Sequence, residues 1–127
     1  MFFISPSVPN EPLNTLFAAA WEKHIQTDFQ PVLRHSLLYI TAYADDRLVG
    51  FVNMAWDGGV HAFLLDTTVH SDFQRRGIGR QLVRAAIAAA RTRGIEWVHV
   101  DYEPHLEVFY RACGFRSTEA GLLNLKE

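Results

Sequence analysis

Hydrophobic and polar positions alternate along the chain with two periods, one typical of helices and one of strands. Apolar residues recur every three to four positions over 11–23, which predicts an amphipathic helix with Asn10 as its N-cap. A shorter helix is predicted near 28–35, opened by Asp28, where Pro31 fits only in the first turn. We therefore expect two helices before any strand.

Three β-rich segments follow, separated by short polar turns. They are residues 37–45, 47–56 and 60–69, with turns at Asp45-Asp46 and Asp57-Gly58-Gly59. An Asp-Gly pair between two apolar runs is a strong hairpin signal. The middle of the chain is therefore predicted to be an antiparallel meander.

The pattern then returns to a helical period. Residues 77–93 are alanine-rich with one apolar stripe, which predicts a long helix that Gly94 ends. A strand over 96–102, a short helix over 104–113 and one or two strands within 115–125 complete the chain. A strand, a long helix and another strand imply a right-handed crossover with a parallel pair. The predicted fold class is α/β: a mixed, mostly antiparallel sheet with one parallel pair, flanked by helices.

Composition limits the class of protein. The 127 residues suit one domain over 1–127, and 49% hydrophobic with 20% charged residues is a globular balance. The first ten residues do not resemble a signal peptide, no apolar run reaches the roughly 20 residues that span a bilayer, and the single Cys113 cannot form an intrachain disulfide. Net charge −2 gives no support to nucleic-acid binding. We expect a cytoplasmic domain with no nucleic-acid or membrane partner.

The candidate chemistry lies in the turn before the long helix, which reads Gln74-Arg75-Arg76-Gly77-Ile78-Gly79. A helix N-terminus offers free N–H groups and a partial positive charge, and glycines let a phosphate approach the backbone. No Gly-Lys-Ser/Thr follows and the third glycine of a dinucleotide fingerprint is absent. By itself the motif fits either a phosphate-binding turn or a tight turn with glycines for packing.

Two motifs in this order resemble the GNAT acetyltransferase superfamily. The stretch from Val69 to Gly79 is similar to the family's signature, which runs from its fourth strand into its third helix. The stretch from Tyr110 to Phe115 resembles the family's Tyr-x-x-x-Gly-Phe after the fifth strand. The resemblance covers about residues 11–125 and is strongest from 60 to 115. Glu103 departs from it, because many members have a cofactor-contacting Asn at that place.

The resemblance implies an N-acetyltransferase that moves the acetyl group of acetyl-CoA, its cosubstrate, to a primary amine by direct attack in a ternary complex. The family binds the pantetheine arm where strands four and five splay apart, and by position Val69 supplies a backbone N–H to the thioester carbonyl. Tyr110 is then the general acid toward the leaving thiolate, since a phenol of pKa about 10 suits that role. A core aromatic is the alternative for Tyr110. The cofactor-binding residues implied are Thr68, Val69, Gln74, Arg75, Arg76, Gly77, Ile78, Gly79 and Arg80.

Asp66 is the leading candidate for the general base, because it lies three residues before Val69 in the same strand. The alternative is a hydrogen-bonded strand aspartate, and His70 and Glu103 are weaker candidates. Cys113 is expected to be a small buried thiol rather than a nucleophile. A metal site from His99, Asp101 and His105 is less favoured than a polar strand edge, so no metal is predicted.

The acceptor is predicted to be a small-molecule amine. The alternatives are a protein lysine or N-terminus, or a non-catalytic acyl-CoA-binding domain. Trp21, Phe29, Trp56 and Asp57 are candidates for lining the acceptor pocket. Residues 121–125 are apolar and predict an exposed edge strand, and members of the family are often dimers, so a homodimer is expected.

Overall fold

The computed structural model describes residues 1–127 and is built on a five-stranded sheet whose strands lie side by side in chain order. The first four strands pair antiparallel, and β4 and β5 pair parallel. The antiparallel meander and the parallel pair expected from the sequence are therefore confirmed. The strands are β1 (Phe2–Ile4), β2 (Leu38–Ala44), β3 (Arg47–Trp56), β4 (His61–Val69) and β5 (Trp97–His99).

Four α-helices cover the sheet, and none is long and apolar enough to cross a membrane. One cluster of buried side chains joins the first two helices to one face of the sheet, and a larger cluster joins the last two to the other face. The helices are α1 (Asn10–Ala20), α2 (Gln30–His35), α3 (Ile78–Thr92) and α4 (Glu107–Ala112), with 3₁₀ turns at Ser71–Phe73 and Pro104–Leu106.

Helix α3 forms where the sequence predicts it, because the side chains along one side of the helix are apolar and several of them are small. Leu82, Val83 and Ala86 are buried against the sheet, whereas the arginines of the helix are exposed. A Cβ on Gly50 of β3 would lie 2.9 Å from Leu82 Cδ1, so a side chain at this position would force Leu82 to shift. Gly94 follows the last turn of the helix and has a φ of +78°, as expected for a glycine that ends a helix.

The two N-terminal helices begin differently from the sequence prediction. Asn10 is the first residue of α1 and does not cap it. Its Oδ1 instead accepts hydrogen bonds from the Phe29 N–H and from Gln30 Nε2, which ties α1 to the start of α2. Asp28 precedes α2, and its Oδ1 accepts from the Gln30 N–H at 3.2 Å. The Asn10 side chain thus connects the two helices instead of capping α1, whereas Asp28 accepts from the first N–H of α2, as expected for the residue that opens it.

The last third of the chain contains less sheet than the sequence predicts. The strand expected over 96–102 is confined to β5, and the strands expected within 115–125 do not form. Leu122, Leu123 and Leu125 are all more than 80% exposed, so their apolar pattern finds no partner strand within the chain. Conversely, β1 forms by pairing with β2, and the sequence prediction missed it.

Candidate active site

A wedge-shaped gap opens between the two parallel strands. Their pairing extends only from His61↔Trp97 to Phe63↔His99, after which β5 ends and β4 continues to Val69. The second half of β4 therefore has β3 on one side and no strand on the other. This gap lies beside the N-terminus of α3, which follows β4 in the chain.

The main chain of Val69 faces this gap. The neighbouring His70 N–H donates to the Val49 carbonyl at 2.8 Å, and Val69 itself is paired with Gly50. Since hydrogen-bonding direction alternates along an antiparallel pair, the N–H and C=O of Val69 point away from β3. The carbonyl accepts from Gln74 Nε2 at 3.1 Å, which braces the end of β4 and leaves the N–H directed toward the gap.

A β-bulge shapes β4 just before this point. Phe51 pairs with Thr68 and Asn53 pairs with Leu65, so Asp66 and Thr67 together lie opposite one residue of β3. Asp66 adopts a φ of +58°, a left-handed conformation that few non-glycine residues take. Although Asp66 is exposed at its outer side, the protein around the bulge partly desolvates its carboxyl, which raises the pKa of that group above its ordinary value. The bulge therefore carries an acid whose affinity for a proton is increased.

Tyr110 of α4 reaches the same part of β4. The ring is buried, stacks on Tyr102 with centroids 5.0 Å apart, and meets Phe115 edge to face. Its hydroxyl donates to Thr67 Oγ1 at 3.5 Å, two residues before Val69. Burial is the main reason why the pKa of this phenol is raised, so the hydroxyl stays protonated at neutral pH. Tyr110 is thus a packed core aromatic whose polar end faces the gap.

The turn before α3 has the features of an anion site. Gly77 precedes the helix with a φ of +82°, and no side chain caps the helix. The first hydrogen bond within the helix runs from the Gln81 N–H to the Gly77 carbonyl, which leaves the N–H groups of residues 78–80 free. No acid lies in the first turn, and Arg75, Arg76 and Arg80 are all exposed beside it.

The two glycines of this turn have different roles. A Cβ on Gly77 would meet nothing within 4 Å, so glycine is favoured there by its positive φ. A Cβ on Gly79 would lie 3.5 Å from the Phe109 ring and 3.7 Å from Val69 Cγ2, where the helix touches α4 and β4. The Ile78 side chain packs toward Gly50 in the core, so only its main chain belongs to the turn.

Thr68 faces the opposite side of the sheet from Tyr110. Its Oγ1 accepts a hydrogen bond from Trp21 Nε1 at 3.1 Å and donates to the Asp66 carbonyl at 2.9 Å. Trp21 is half exposed and follows directly after α1. This contact places an aromatic side chain over the end of β4, and no local pattern in the sequence indicates it.

The other candidates for an acceptor pocket lie elsewhere. Phe29 is buried with α1 and α2 in the core, so its expected place in the pocket is wrong. Trp56 and Asp57 lie at the turn between β3 and β4, at the opposite end of β4 from Val69.

The weaker base candidates are placed less favourably than Asp66. Both ring nitrogens of the buried His70 contact protein donors, Arg47 Nη2 at 2.8 Å and the Asp72 N–H at 3.1 Å. A histidine held in this way has no free nitrogen for a substrate. Glu103 is exposed and precedes the 3₁₀ turn at Pro104–Leu106 without capping it.

The three residues of the disfavoured metal site, His99, Asp101 and His105, do not form a metal-binding cluster. His99 Nε2 lies 2.9 Å from His61 Nδ1, and the His99 ring stacks on Phe63. No three His, Cys, Asp or Glu side chains converge to hold a metal ion. Cys113 is partly buried, and burial raises the pKa of its thiol, which is the opposite of what a reactive cysteine requires.

Several cavities open on the surface, one of them at the edge of the sheet and another beside α2. The larger, about 430 Å³, lies at the chain start and the β2–β3 turn, at the sheet edge opposite to β5. The smaller, about 330 Å³, is lined by α2 residues together with Ser36, Asn53, Ala55 and Leu65. Of these two, the smaller borders β4, where Leu65 immediately precedes the bulge.

Comparisons with known proteins agree on one family of enzymes. A model of the acetyltransferase (GNAT) family matches residues 9–115. The uncharacterized N-acetyltransferase ycf52 of Porphyra purpurea is 30% identical over 102 residues, which are 77% of this chain and 59% of that protein. The chain thus spans about three fifths of the length of this curated relative.

Solved structures share the fold. A GNAT-family acetyltransferase of Streptococcus pneumoniae is 24% identical, with a TM-score of 0.78 and 98% of both chains covered. AAC(6')-Iy in complex with a bisubstrate analogue, CoA-S-monomethyl-acetylneamine, is 22% identical, with a TM-score of 0.78 and coverage of 100% of this chain and 99% of that chain. At these identities the likeness concerns the architecture alone.

Proposed function

The chain belongs to the GNAT acetyltransferase family, and from this premise we propose that it transfers the acetyl group of acetyl-CoA to the primary amine of a small molecule. The observation that carries the proposal is the uncapped N-terminus of α3 beside the gap between β4 and β5. The free N–H groups at the start of α3 and the free N–H of Val69 then both border this gap.

The residues of the turn fit the pyrophosphate of coenzyme A. Three main-chain N–H groups, over residues 78–80, have no partner within the helix. Arg75, Arg76 and Arg80 add positive charge without a neighbouring acid in the first turn. Because an anion is favoured at the positive end of a helix dipole, this turn would hold the two phosphates mainly through its backbone.

The gap provides groups for each requirement of acyl transfer. Acetyl-CoA supplies an activated acyl group, and the Val69 N–H is oriented to polarise its carbonyl. Asp66 accepts a proton from the attacking amine as the new C–N bond forms. Tyr110 donates a proton to the sulfur as the C–S bond breaks. Asp66 and Tyr110 both adjoin Thr67, one along the strand and one through its hydroxyl.

The size of the smaller cavity supports a small-molecule acceptor. Its 330 Å³ lies at the lower end of the range of ligand pockets, and it borders the strand that carries Asp66. AAC(6')-Iy, which has the same fold, is an aminoglycoside N-acetyltransferase. A thiol-release assay with acetyl-CoA over a panel of small amines and lysine peptides tests the proposal, and turnover with small amines is the expected result.

Replacing Gly77 with glutamate is expected to weaken coenzyme A binding by tenfold or more, about 1.4 kcal/mol. The substitution forces an L-residue into a φ of +82° and places a carboxylate at the anion site. Gly77→Asn is the matched control, because asparagine tolerates this backbone conformation and adds no charge. Calorimetric titration of both variants measures the effect, and a folded glutamate variant with wild-type affinity contradicts the assignment of the turn.

We also propose that the chain forms a homodimer, although not through the terminal strand expected from the sequence. The remaining support is exposed apolar surface on the edge strand β5 and in the C-terminal segment. Trp97 on the edge strand β5 is 49% exposed, and Leu122 and Leu123 are more than 80% exposed. Light scattering at micromolar concentration should give twice the chain mass, and a monomeric mass contradicts the proposal.

A further inference from the structure

His70 lies directly between the proposed acyl site and the anion turn. It follows Val69 at the end of β4, and its main-chain N–H donates to the Val49 carbonyl at 2.8 Å. Its side chain is buried, whereas residues 71–72 and 74–77 that follow it are all exposed. A buried polar ring at the start of an exposed loop requires partners, because an unpaired polar group away from water is unfavourable.

Two protein donors point at the His70 ring. Nδ1 lies 3.1 Å from the Asp72 main-chain nitrogen, and Nε2 lies 2.8 Å from Arg47 Nη2. A neutral imidazole accepts at one nitrogen and carries a proton on the other, so it can accept from only one of these donors at a time. The Asp72 N–H is fixed by the main chain of the 3₁₀ turn, whereas the Arg47 side chain is 55% exposed and can turn to water. We therefore assign the proton to Nε2 and the hydrogen bond to Nδ1.

The hydrogen bond to Nδ1 caps the 3₁₀ turn at Ser71–Phe73, with which the loop to α3 begins. A capping side chain fixes the main chain because it satisfies an N–H that has no acceptor within the turn. The Phe73 N–H donates to the His70 carbonyl at 2.8 Å, so a second N–H of the turn also ends on this residue. His70 thus holds the start of the loop against the end of β4.

The position of the Arg76 guanidinium follows from this turn. The Phe73 ring packs against the larger buried cluster and meets the His70 ring edge to face, with centroids 5.9 Å apart. Arg76 Cζ lies over the same Phe73 ring, 4.9 Å from its centroid, where cation–π attraction holds the guanidinium. His70, Phe73 and Arg76 therefore form a continuous series of contacts from β4 to the anion turn.

We propose that His70 is a positioning residue for the phosphates of coenzyme A. It acts through other residues: Nδ1 fixes the turn at Ser71–Phe73, and Phe73 fixes Arg76. The positive groups of the anion turn are then in place before the cofactor arrives. Such preorganisation raises affinity, because the loop loses little conformational freedom on binding. The inference rests on the proposed function, which places the phosphates at this turn.

Replacing His70 with alanine should weaken coenzyme A binding about tenfold in calorimetric titration, within the range for loss of a side-chain cap. The value of kcat at saturating acetyl-CoA should stay within a factor of a few, because the main-chain bond to Val49 and the pairing of Val69 with Gly50 remain. Ser71→Ala, at an exposed position of the same turn, is the control and should bind like the wild type. Wild-type affinity in folded His70→Ala overturns the proposal.

Acetyl-pantetheine separates a positioning role from a general structural one, because it keeps the thioester and lacks the phosphates. His70→Ala should lower kcat/KM for acetyl-CoA about tenfold and leave kcat/KM for acetyl-pantetheine within a factor of a few. Partial unfolding or a distorted acyl site would lower both values by the same factor. Equal losses with the two thioesters therefore overturn the proposal.

Two amide variants separate the contacts of the two ring nitrogens. Asparagine carries its oxygen about as far from the main chain as Nδ1, and glutamine reaches about as far as Nε2. His70→Asn can therefore still accept from the Asp72 N–H, whereas His70→Gln presents its oxygen to Arg47. Coenzyme A affinity should return to within about threefold of the wild type in His70→Asn and stay as low in His70→Gln as in His70→Ala. The reverse order overturns the assignment of Nδ1, and equally weak binding of both overturns the hydrogen bond as the cause.

Binding by the wild type separates failure of the inference from failure of the proposed function. A wild-type protein that does not bind coenzyme A overturns the proposed function itself. If the wild type binds and every His70 variant binds equally tightly, the role of His70 is overturned and the acetyltransferase remains.

Discussion

Replacing Tyr110 with phenylalanine is expected to lower kcat by roughly 10²-fold, the lower range for loss of a general acid. The substitution removes the hydroxyl that donates to Thr67 and keeps the ring that packs on Tyr102 and Phe115. Affinity for acetyl-CoA should therefore change by no more than a factor of a few. Lower kcat at constant affinity identifies an interaction made in the transition state.

The pH dependence of the wild type gives an independent test of Tyr110. Since burial raises the pKa of this phenol above its ordinary value near 10, the acid form persists through neutral pH and beyond. The alkaline fall in kcat should thus begin above pH 10, and Tyr110→Phe should remove it. Tyr102→Phe is the matched control, because Tyr102 stacks on the same ring and its hydroxyl has no assigned role. Full activity of Tyr110→Phe would mean that another group delivers the proton.

The long helix and the meander are predictable from the sequence because their signals are local. Leu82, Val83 and Ala86 recur on one side of an alanine-rich segment. Gly77 and Gly94 both have positive φ at the positions where the pattern starts and ends. Such signals require no knowledge of distant contacts, so the structure retains them.

The end of the chain could not be predicted in the same way. Residues 121–125 satisfy the composition of a strand, but a strand also needs a partner, and β5 ends at His99. Asn10 shows the same limit on a smaller scale, because its side chain is used by the start of α2 nineteen and twenty residues away. In both cases a non-local contact decides the outcome.

In the candidate site, too, local sequence signals predict some features and not others. The turn at residues 74–79 was evident from its residues, whereas the bulge at Asp66 was not, because the strand contains no glycine to indicate a positive φ. Residues 48–54 of β3 are all buried, so no alternation of apolar and polar positions distinguishes the two faces of this strand.

Replacing Asp66 with asparagine is expected to lower kcat at neutral pH by roughly 10²-fold without lowering the stability of the fold. Asparagine has nearly the same shape, tolerates the φ of +58°, and cannot accept the proton of the amine. The acidic fall of the wild-type pH–rate profile, displaced upward by the raised pKa of Asp66, should also disappear. Measuring kcat from pH 4 to 9 for both proteins tests this.

Thermal stability distinguishes a catalytic Asp66 from a structural one. Because burial raises its pKa in the folded state, the carboxyl favours folding when protonated, at low pH, and that contribution is lost as pH rises through the folded-state pKa. At pH 7 the ionised group therefore opposes folding, and Asp66→Asn should have an equal or higher Tm than the wild type. A strand aspartate retained for its hydrogen bonds predicts the reverse: a lower Tm and unchanged kcat. The exposed Asp72, replaced by asparagine in the same way, serves as the control for a carboxylate outside the site, with kcat expected to stay at the wild-type value.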